Sequence, residues 1–487
     1  GAGCASTPGG APTSGAKPRG VVEVTLLQIN DVYEIGPVEG GKRGGLARVA
    51  TLRKRLLAEN PNTYTVLAGD FLSPSALGTA KVDGQSLAGR QMVAVLNALG
   101  LDLATFGNHE FDLKEDQLLA RLGESRFRWT SANVTRSAGG PFPGVSLNEV
   151  LTVESPGGSV RLGVVSVTLA SNPQPFVSYA DPITAVRQQI EALGNRVDVV
   201  VGLTHLDFPE DQALAESVPE VDLILGGHEH ENVRAFRGSD FTPILKADAN
   251  ARTVYVHHLA WDTARKSLTV ESELVIVTDQ IPEDPEVAKV VSEWEEKGFA
   301  GFRQQGFEPA EQVAVTTVSL DGREAAVRTH PTELTDLLAR AFLAEAEGAE
   351  VSLYNGGSIR IDDVLPAGPI TQYDVIRILP FGGKVLTADI KGSLLARALD
   401  QGAANHGTGG YLQTAHVGQA EGGGWLVDGQ PIDPDRTYRI AIGDYLASGQ
   451  EKGLEFLKPG PDFTIVKENR DQRVAVIDEL RREYPAK

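Results

Sequence analysis

The chain is poor in several things, and each shortage narrows what it can be. It has one cysteine, Cys4, so no intramolecular disulfide can form. No run of 18 apolar residues occurs, which excludes a transmembrane helix within these residues. Basic residues are scarce: 45 Lys and Arg stand against 65 Asp and Glu, for a net charge of −20. Binding along a nucleic-acid backbone needs clustered Lys and Arg, so no nucleic-acid partner is expected. A small phosphorylated substrate remains compatible, because a metal pair and a few arginines set the field locally. There are no internal repeats, and the only low-complexity stretch is the Gly-, Ser-, Thr-, Ala- and Pro-rich segment before Gly20.

The 487 residues have room for two to three domains and a large core. Residues 1–20 cannot bury enough surface to fold and are expected to be a flexible tether. The chain starts Gly1-Ala2-Gly3-Cys4 rather than with Met, so the expectation is a processed or trimmed chain.

Five apolar runs in the first half end in residues that bind metals or move protons. The runs are Val21 to Ile29, Thr63 to Ala68, Leu101 to Phe106, Val197 to Leu203 and Val221 to Leu225. They lead into Asn30-Asp31, Gly69-Asp70, Gly107-Asn108-His109-Glu110, Thr204-His205 and Gly226-Gly227-His228-Glu229-His230. Short apolar runs separated by helical stretches predict buried strands of an α/β sheet. The helical stretches are Leu46 to Glu59, Leu87 to Leu99, Leu113 to Leu122 and Ile183 to Leu193. In open α/β sheets the ligand site lies off the carboxyl ends of the strands, so these distant residues are expected to converge. Val160 to Leu169, Val254 to Leu259 and Ser267 to Val277 predict a second sheet. Two sheets face to face with helices outside give a four-layer α/β/β/α sandwich over residues 21–279. Ile281-Pro282-Glu283-Asp284-Pro285 breaks this pattern, and a helix with Val287, Val291 and Trp294 on one face follows, so 280–310 is the expected connector. Residues 311–487 form a smaller α/β substrate-binding domain.

Asp, Asn and His together suit Mn, Zn, Fe or Co. Six or seven such ligands are too many for one tetrahedral ion and enough for two. A two-metal site holds its ions about 3.5–4 Å apart and clamps the attacking and leaving oxygens of an in-line displacement. Asp70, on its own strand end, is the natural bridge.

In this order the five motifs resemble those of the calcineurin-like metallophosphoesterases. Asn355-Gly356-Gly357-Ser358-Ile359-Arg360, Leu379-Pro380-Phe381-Gly382 and Gly443-Asp444-Tyr445-Leu446-Ala447-Ser448-Gly449 resemble the C-terminal domain of the 5′-nucleotidase family. That family includes UDP-sugar hydrolases and 2′,3′-cyclic nucleotide phosphodiesterases. The resemblance implies two divalent cations, one on Asp31 and His230, the other on Asn108, His205 and His228, with Asp70 between them. It implies His109 and Asp112 as the catalytic dyad; Asp112 also suits the cap of the helix after it. It implies substrate contacts from Arg328, Asn355, Arg360 and Tyr411, the last as one of two rings around a nucleobase. Leu454 or Phe456 stands where the second ring is expected, which puts nucleotide preference in question. Ala-Gly-Cys before a polar tether resembles a bacterial lipoprotein signal, so an exported enzyme with a lipid anchor at Cys4 is expected. The sequence sets no oligomeric state.

The implied activity is hydrolysis of a phosphate monoester, a nucleotide first. A cyclic-nucleotide phosphodiesterase, a sugar-nucleotide pyrophosphatase or a thiosulfate-ester hydrolase on the same scaffold is the alternative. A non-catalytic binding protein is opposed by the intact Asn108, His109, Asp112, His205, His228 and His230. One departure stands out. The family's first motif is Asp-x-His, and here it is Asp31-Val32-Tyr33. Either the phenol ligates directly, favouring a harder metal such as Fe(III), or the longer ring overshoots and leaves a weaker site. The second is the expectation.

Overall fold

The computed structural model describes residues 20–485. The tether expected over residues 1–20, Gly20 excepted, and the anchor expected at Cys4 lie outside them. The chain divides into two compact units. The first holds most residues up to Ala288, and the second holds Lys289 onward together with Pro37–Lys42 and Leu72–Gln91.

In the first unit two sheets stack. One has seven strands in the order Val145–Ser146, Arg128–Thr130, Leu103–Ala104, Thr63–Leu67, Val21–Ile29, Thr253–Asp262 and Ser267–Ile276. The other has six, in the order Glu149–Ser155, Gly158–Thr168, Val199–His205, Leu223–Gly226, Thr242–Lys246 and Val233–Arg237. Alternation decides which face each residue takes. Leu162, Val164, Val201, Leu203 and Leu225 point inward and meet Val24, Leu26, Val66 and Ala68 of the first sheet. Val165, Val167, Val200 and Ile224 point the other way, into the helices Pro182–Leu193 and Phe208–Ser217. This is the α/β/β/α sandwich. One assignment is corrected: Thr253–Asp262 and Ser267–Ile276 extend the first sheet, not the second. Thr253–Asp262 pairs antiparallel with Val21–Ile29, from Val21 opposite Asp262 to Gln28 opposite Tyr255.

The central strands Val21–Ile29, Thr63–Leu67 and Leu103–Ala104 run parallel, as do Gly158–Thr168, Val199–His205 and Leu223–Gly226. Their carboxyl ends therefore share one edge, and the motif residues sit just past them. The helix Pro285–Gln304 follows, longer than the charged stretch suggests.

The second unit is built on a five-stranded mixed sheet in the order Leu412–Ala415, Val351–Asn355, Thr437–Gly443, Lys384–Lys391 and Phe463–Asp471. Its core includes Leu353, Leu386, Leu395, Ile440, Ile442, Leu454 and Phe463.

Candidate active site

The residues at the strand ends converge as the topology requires. Ligand atoms of Asp31, Asp70 and His230 lie within 4.8 Å of one another, and so do those of Asp70, His205 and His228. Asp70 belongs to both groups. Four of these residues have left-handed backbones: Asp31 at φ 55°, Asp70 at 59°, His228 at 96° and His230 at 65°. Such conformations are disfavoured outside glycine and cluster at functional sites.

The surroundings hold these side chains in place. Glu110 is fully buried and accepts from the backbone N–H of Gly107, Asp70 (2.9 Å) and Phe71 (2.7 Å). Asp70 Oδ1 accepts from the His109 N–H at 2.9 Å. Asn30 donates to Asp31 Oδ2 at 2.6 Å and is itself tied to the backbone of Ala247 at both ends of its amide. The packing leaves no room for a Cβ at Gly107, where it would stand 2.0 Å from Asp70 Oδ1, or at Gly227, 2.7 Å from Asp31 Oδ2. Behind the histidines, buried Lys246 bridges Asp211 at 2.8 Å and Glu229 at 2.6 Å. Glu229 also accepts from the Phe208 N–H, which ties the His228–His230 loop to the start of the preceding helix Phe208–Ser217.

Several features show that these donors fit cations. His205 Nδ1 lies 2.7 Å from the Ala68 carbonyl, an acceptor, so this nitrogen carries the proton and Nε2 keeps its lone pair. That Nε2 lies 3.1 Å from Asp70 Oδ2, yet makes no hydrogen bond among the described residues. Two buried acceptors that close need a positive charge between them. Asn108 Oδ1 is likewise buried with no hydrogen-bond partner among the described residues. Electrostatics agree. Burial would raise the Asp70 carboxyl, but His205 and His109 outweigh it and hold it well below the usual carboxylate range. Burial would lower His205, but Asp70 and Asp31 outweigh it and lift it to about 9. The two carboxylates thus favour positive charge at Nε2, a proton or a metal ion. His228 is lowered, by burial and then by His205, and stays neutral as a ligand must be.

His109 stands beside this cluster, partly exposed. Its Nδ1 is 2.8 Å from Asp112 Oδ2. The other oxygen of Asp112 accepts from Asn172 at 2.9 Å, and Asn172 also donates to the Asn108 carbonyl at 2.9 Å. Asp112 does not cap the following helix, whose N-cap is Lys114. The Tyr33 phenol oxygen is 2.9 Å from His230 Nε2 and 3.2 Å from Asp70 Oδ2.

The second unit carries a cavity of ≈ 730 Å³ lined by Asn355, Arg360, Phe381, Asp444, Tyr445 and Glu451, among others. Asn355 donates to Glu451 at 3.3 Å, and the Arg360 guanidinium lies 5.5 Å over the Phe381 ring. Phe381 is 67% exposed and Tyr445 45%. The sequence named other residues for the ring pair. Tyr411 is outside the lining and packs edge-on against His406; Leu454 is 0% exposed, in the core; Phe456 lies under Arg397. Arg328 pairs with Glu324 at 2.8 Å and is also outside the lining. The signal that could have found Phe381 and Tyr445 was present: both lie in the motifs that carry the C-terminal resemblance. Glu110 and Glu229 were likewise in view as motif residues without a role.

A calcineurin-like phosphoesterase family model matches residues 24–232. With the donor set just described, this makes the chain a metal-dependent phosphoesterase. A 5′-nucleotidase C-terminal domain model matches residues 312–458. The chain belongs to the 5′-nucleotidase family, which joins these two domains. The snake venom 5′-nucleotidase of Naja atra is 26% identical over 506 residues, covering 90% of this chain and 92% of that protein. The 5′-nucleotidase of Bos taurus is 25% identical over 539 residues, covering 95% and 90%. A solved 5′-nucleotidase precursor from Thermus thermophilus shares the fold at TM-score 0.73 and 24% identity, covering 96% of this chain and 97% of that one.

Proposed function

We propose that the protein hydrolyses phosphate monoesters, with nucleoside 5′-monophosphates as its main substrates. The observation that carries this reading is the sharing of Asp70 between two groups of ligand atoms. Asp31, Asp70 and His230 would hold one cation, and Asp70, Asn108, His205 and His228 the other, drawn from Mn, Zn, Fe or Co. When bound, the pair supplies Lewis-acid stabilisation of the phosphoryl oxygens and activates a water for in-line attack. His109 protonates the leaving oxygen through Nε2, while Asp112 orients the ring and stabilises its charged form.

In the second unit the exposed rings of Phe381 and Tyr445 stack on the base. Asn355 and Glu451 offer a donor and an acceptor to the sugar hydroxyls, and Arg360 offers a planar fork to anionic oxygens. Two aromatic rings on the cavity support a nucleotide preference despite Leu454. The names of the relatives, 5′-nucleotidases, support the same substrate class.

The test is phosphate release from a nucleotide panel before and after metal stripping. Activity is expected to vanish and to return with added Mn or Zn; undiminished turnover after demonstrated metal removal would overturn the reading. We further propose that the enzyme is exported and lipid-anchored at Cys4, on the strength of the Ala-Gly-Cys motif. In a bacterial host expressing the precursor, labelled palmitate should enter the protein and be lost in Cys4→Ser; an unlabelled wild type would refute this.

A further inference from the structure

The strand Gly158–Thr168 runs parallel to Val199–His205, with Thr168 opposite His205, so it ends at the edge where the motif residues gather. None of the ligands named above lies past it. The segment that follows, residues 169–180, is nevertheless tied to the site. Its two ends are held by Asn133, which is 1% exposed. The Asn133 amide donates to the carbonyls of Thr168 at 2.8 Å and Ala180 at 3.0 Å, and its oxygen accepts from the Thr168 N–H at 2.9 Å. Thr168 Oγ1 donates to the Phe106 carbonyl at 2.7 Å, which fixes the start of the segment beside Gly107.

Within this segment Asn172 lies against the short turn Asn108–Asp112. Pro173 follows it, which disfavours helical backbone at Asn172 and keeps the chain extended there. Tyr179 donates from its hydroxyl to the Asn172 carbonyl at 3.0 Å, and its ring packs edge-on against Phe111 of the same turn. Gln174 donates to Asn172 Oδ1 at 2.9 Å, so the oxygen side of the amide is occupied. The NH₂ side has two hydrogens and two acceptors: Asp112 Oδ1 and the Asn108 carbonyl, each at 2.9 Å. One amide thus joins the first and last residues of the turn that carries His109. The other Asp112 oxygen is 2.8 Å from His109 Nδ1.

Resting on the general-acid reading above, we propose that Asn172 is a positioning residue for the proton transfer, acting through Asp112. The terminal torsion of an aspartate is broad, and the Asp112 side chain is 30% exposed, so it is open to exchange of its partners for water. Asn172 pins Oδ1 and leaves Oδ2 on the imidazole. The His109 ring is then held with Nε2 toward the leaving oxygen before substrate arrives, which saves the cost of orienting it during the reaction. Gln174 contributes by keeping the Asn172 amide from turning over.

The experiment compares wild type with Asn172→Ala, Asn172→Asp and Gln174→Ala, each reloaded with Mn, on a nucleoside 5′-monophosphate and on 4-nitrophenyl phosphate. Asn172→Asp keeps the shape of the side chain but turns an acceptor toward Asp112. In both Asn172 variants kcat on the nucleotide should fall about ten- to 100-fold, the cost of a misplaced catalytic group, with KM nearly unchanged. The aryl ester should suffer far less. Gln174→Ala should show the same pattern more weakly. A double-mutant cycle decides the route: in an Asp112→Ala background, Asn172→Ala should cost less than about twofold more, because no carboxylate remains to be held. Metal counted per chain should match wild type throughout. Additive losses in the cycle, equal losses on the two esters, or a fall in bound metal would overturn the positioning role and leave the dimetal reading standing. A metal-loaded wild type inactive on both esters would overturn the general-acid reading and this role with it.

Discussion

Removing His109 should separate proton donation from metal binding. A positioned general acid contributes roughly 10²–10⁴ in rate, which is about 2.7–5.4 kcal/mol of barrier. His109 touches the metal cluster through its backbone, which donates to Asp70 Oδ1 at 2.9 Å, so His109→Ala keeps that bond and should keep its metal. The neighbouring network makes a sharper test. Gln174 donates to Asn172 Oδ1 at 2.9 Å, so Asn172 must turn its amide N–H toward Asp112. In Asp112→Asn the new carbonyl faces Asn172, and the new NH₂ faces His109 Nδ1. The imidazole then holds its proton on Nε2 and loses its anionic partner. A hydrogen bond to a charged group is worth about 1.5–3 kcal/mol, so a loss of about ten- to 150-fold in kcat is expected. The assay compares a nucleoside 5′-monophosphate with 4-nitrophenyl phosphate, whose leaving group needs little protonation. Both variants should lose far less on the aryl ester. Equal losses on the two substrates, or loss of bound metal, would refute the assignment.

Three further outcomes test the cavity of the second unit, its core and the loop that packs on Asp70. Phe381→Ala and Tyr445→Ala should each raise KM for nucleotides about five- to 150-fold, from about 1–3 kcal/mol of stacking, and leave 4-nitrophenyl phosphate nearly unchanged. Leu454→Ala should instead cost about 2–5 kcal/mol of stability, read as a lower Tm, without altering substrate preference. Gly107→Ala places a methyl 2.0 Å from Asp70 Oδ1, so metal counted per chain should fall below two; retention of both ions would show that the loop yields.

The sequence by itself determined the parts of this protein that are local. Apolar runs bounded by helices specify buried parallel strands, and the residues just past each run must then gather at one edge; Asp31, Asp70, Asn108, His205, His228 and His230 were legible for that reason. Sheet membership was not. Thr253–Asp262 and Ser267–Ile276 carry the same alternation whichever sheet they join, and pairing with Val21–Ile29 is a contact across more than 200 residues that no local pattern encodes. The same holds for side-chain placement in the second unit. Leu454 and Tyr445 lie nine residues apart, and only the packing decides that one enters the core while the other keeps its ring on the cavity. Glu110 was visible as a motif residue, but its role as acceptor for three backbone N–H groups exists only once the Gly69–Phe71 and Gly107–Asp112 loops meet. Composition and periodicity set what each segment can bury; the tertiary fold alone sets which atoms end within bonding distance of one another.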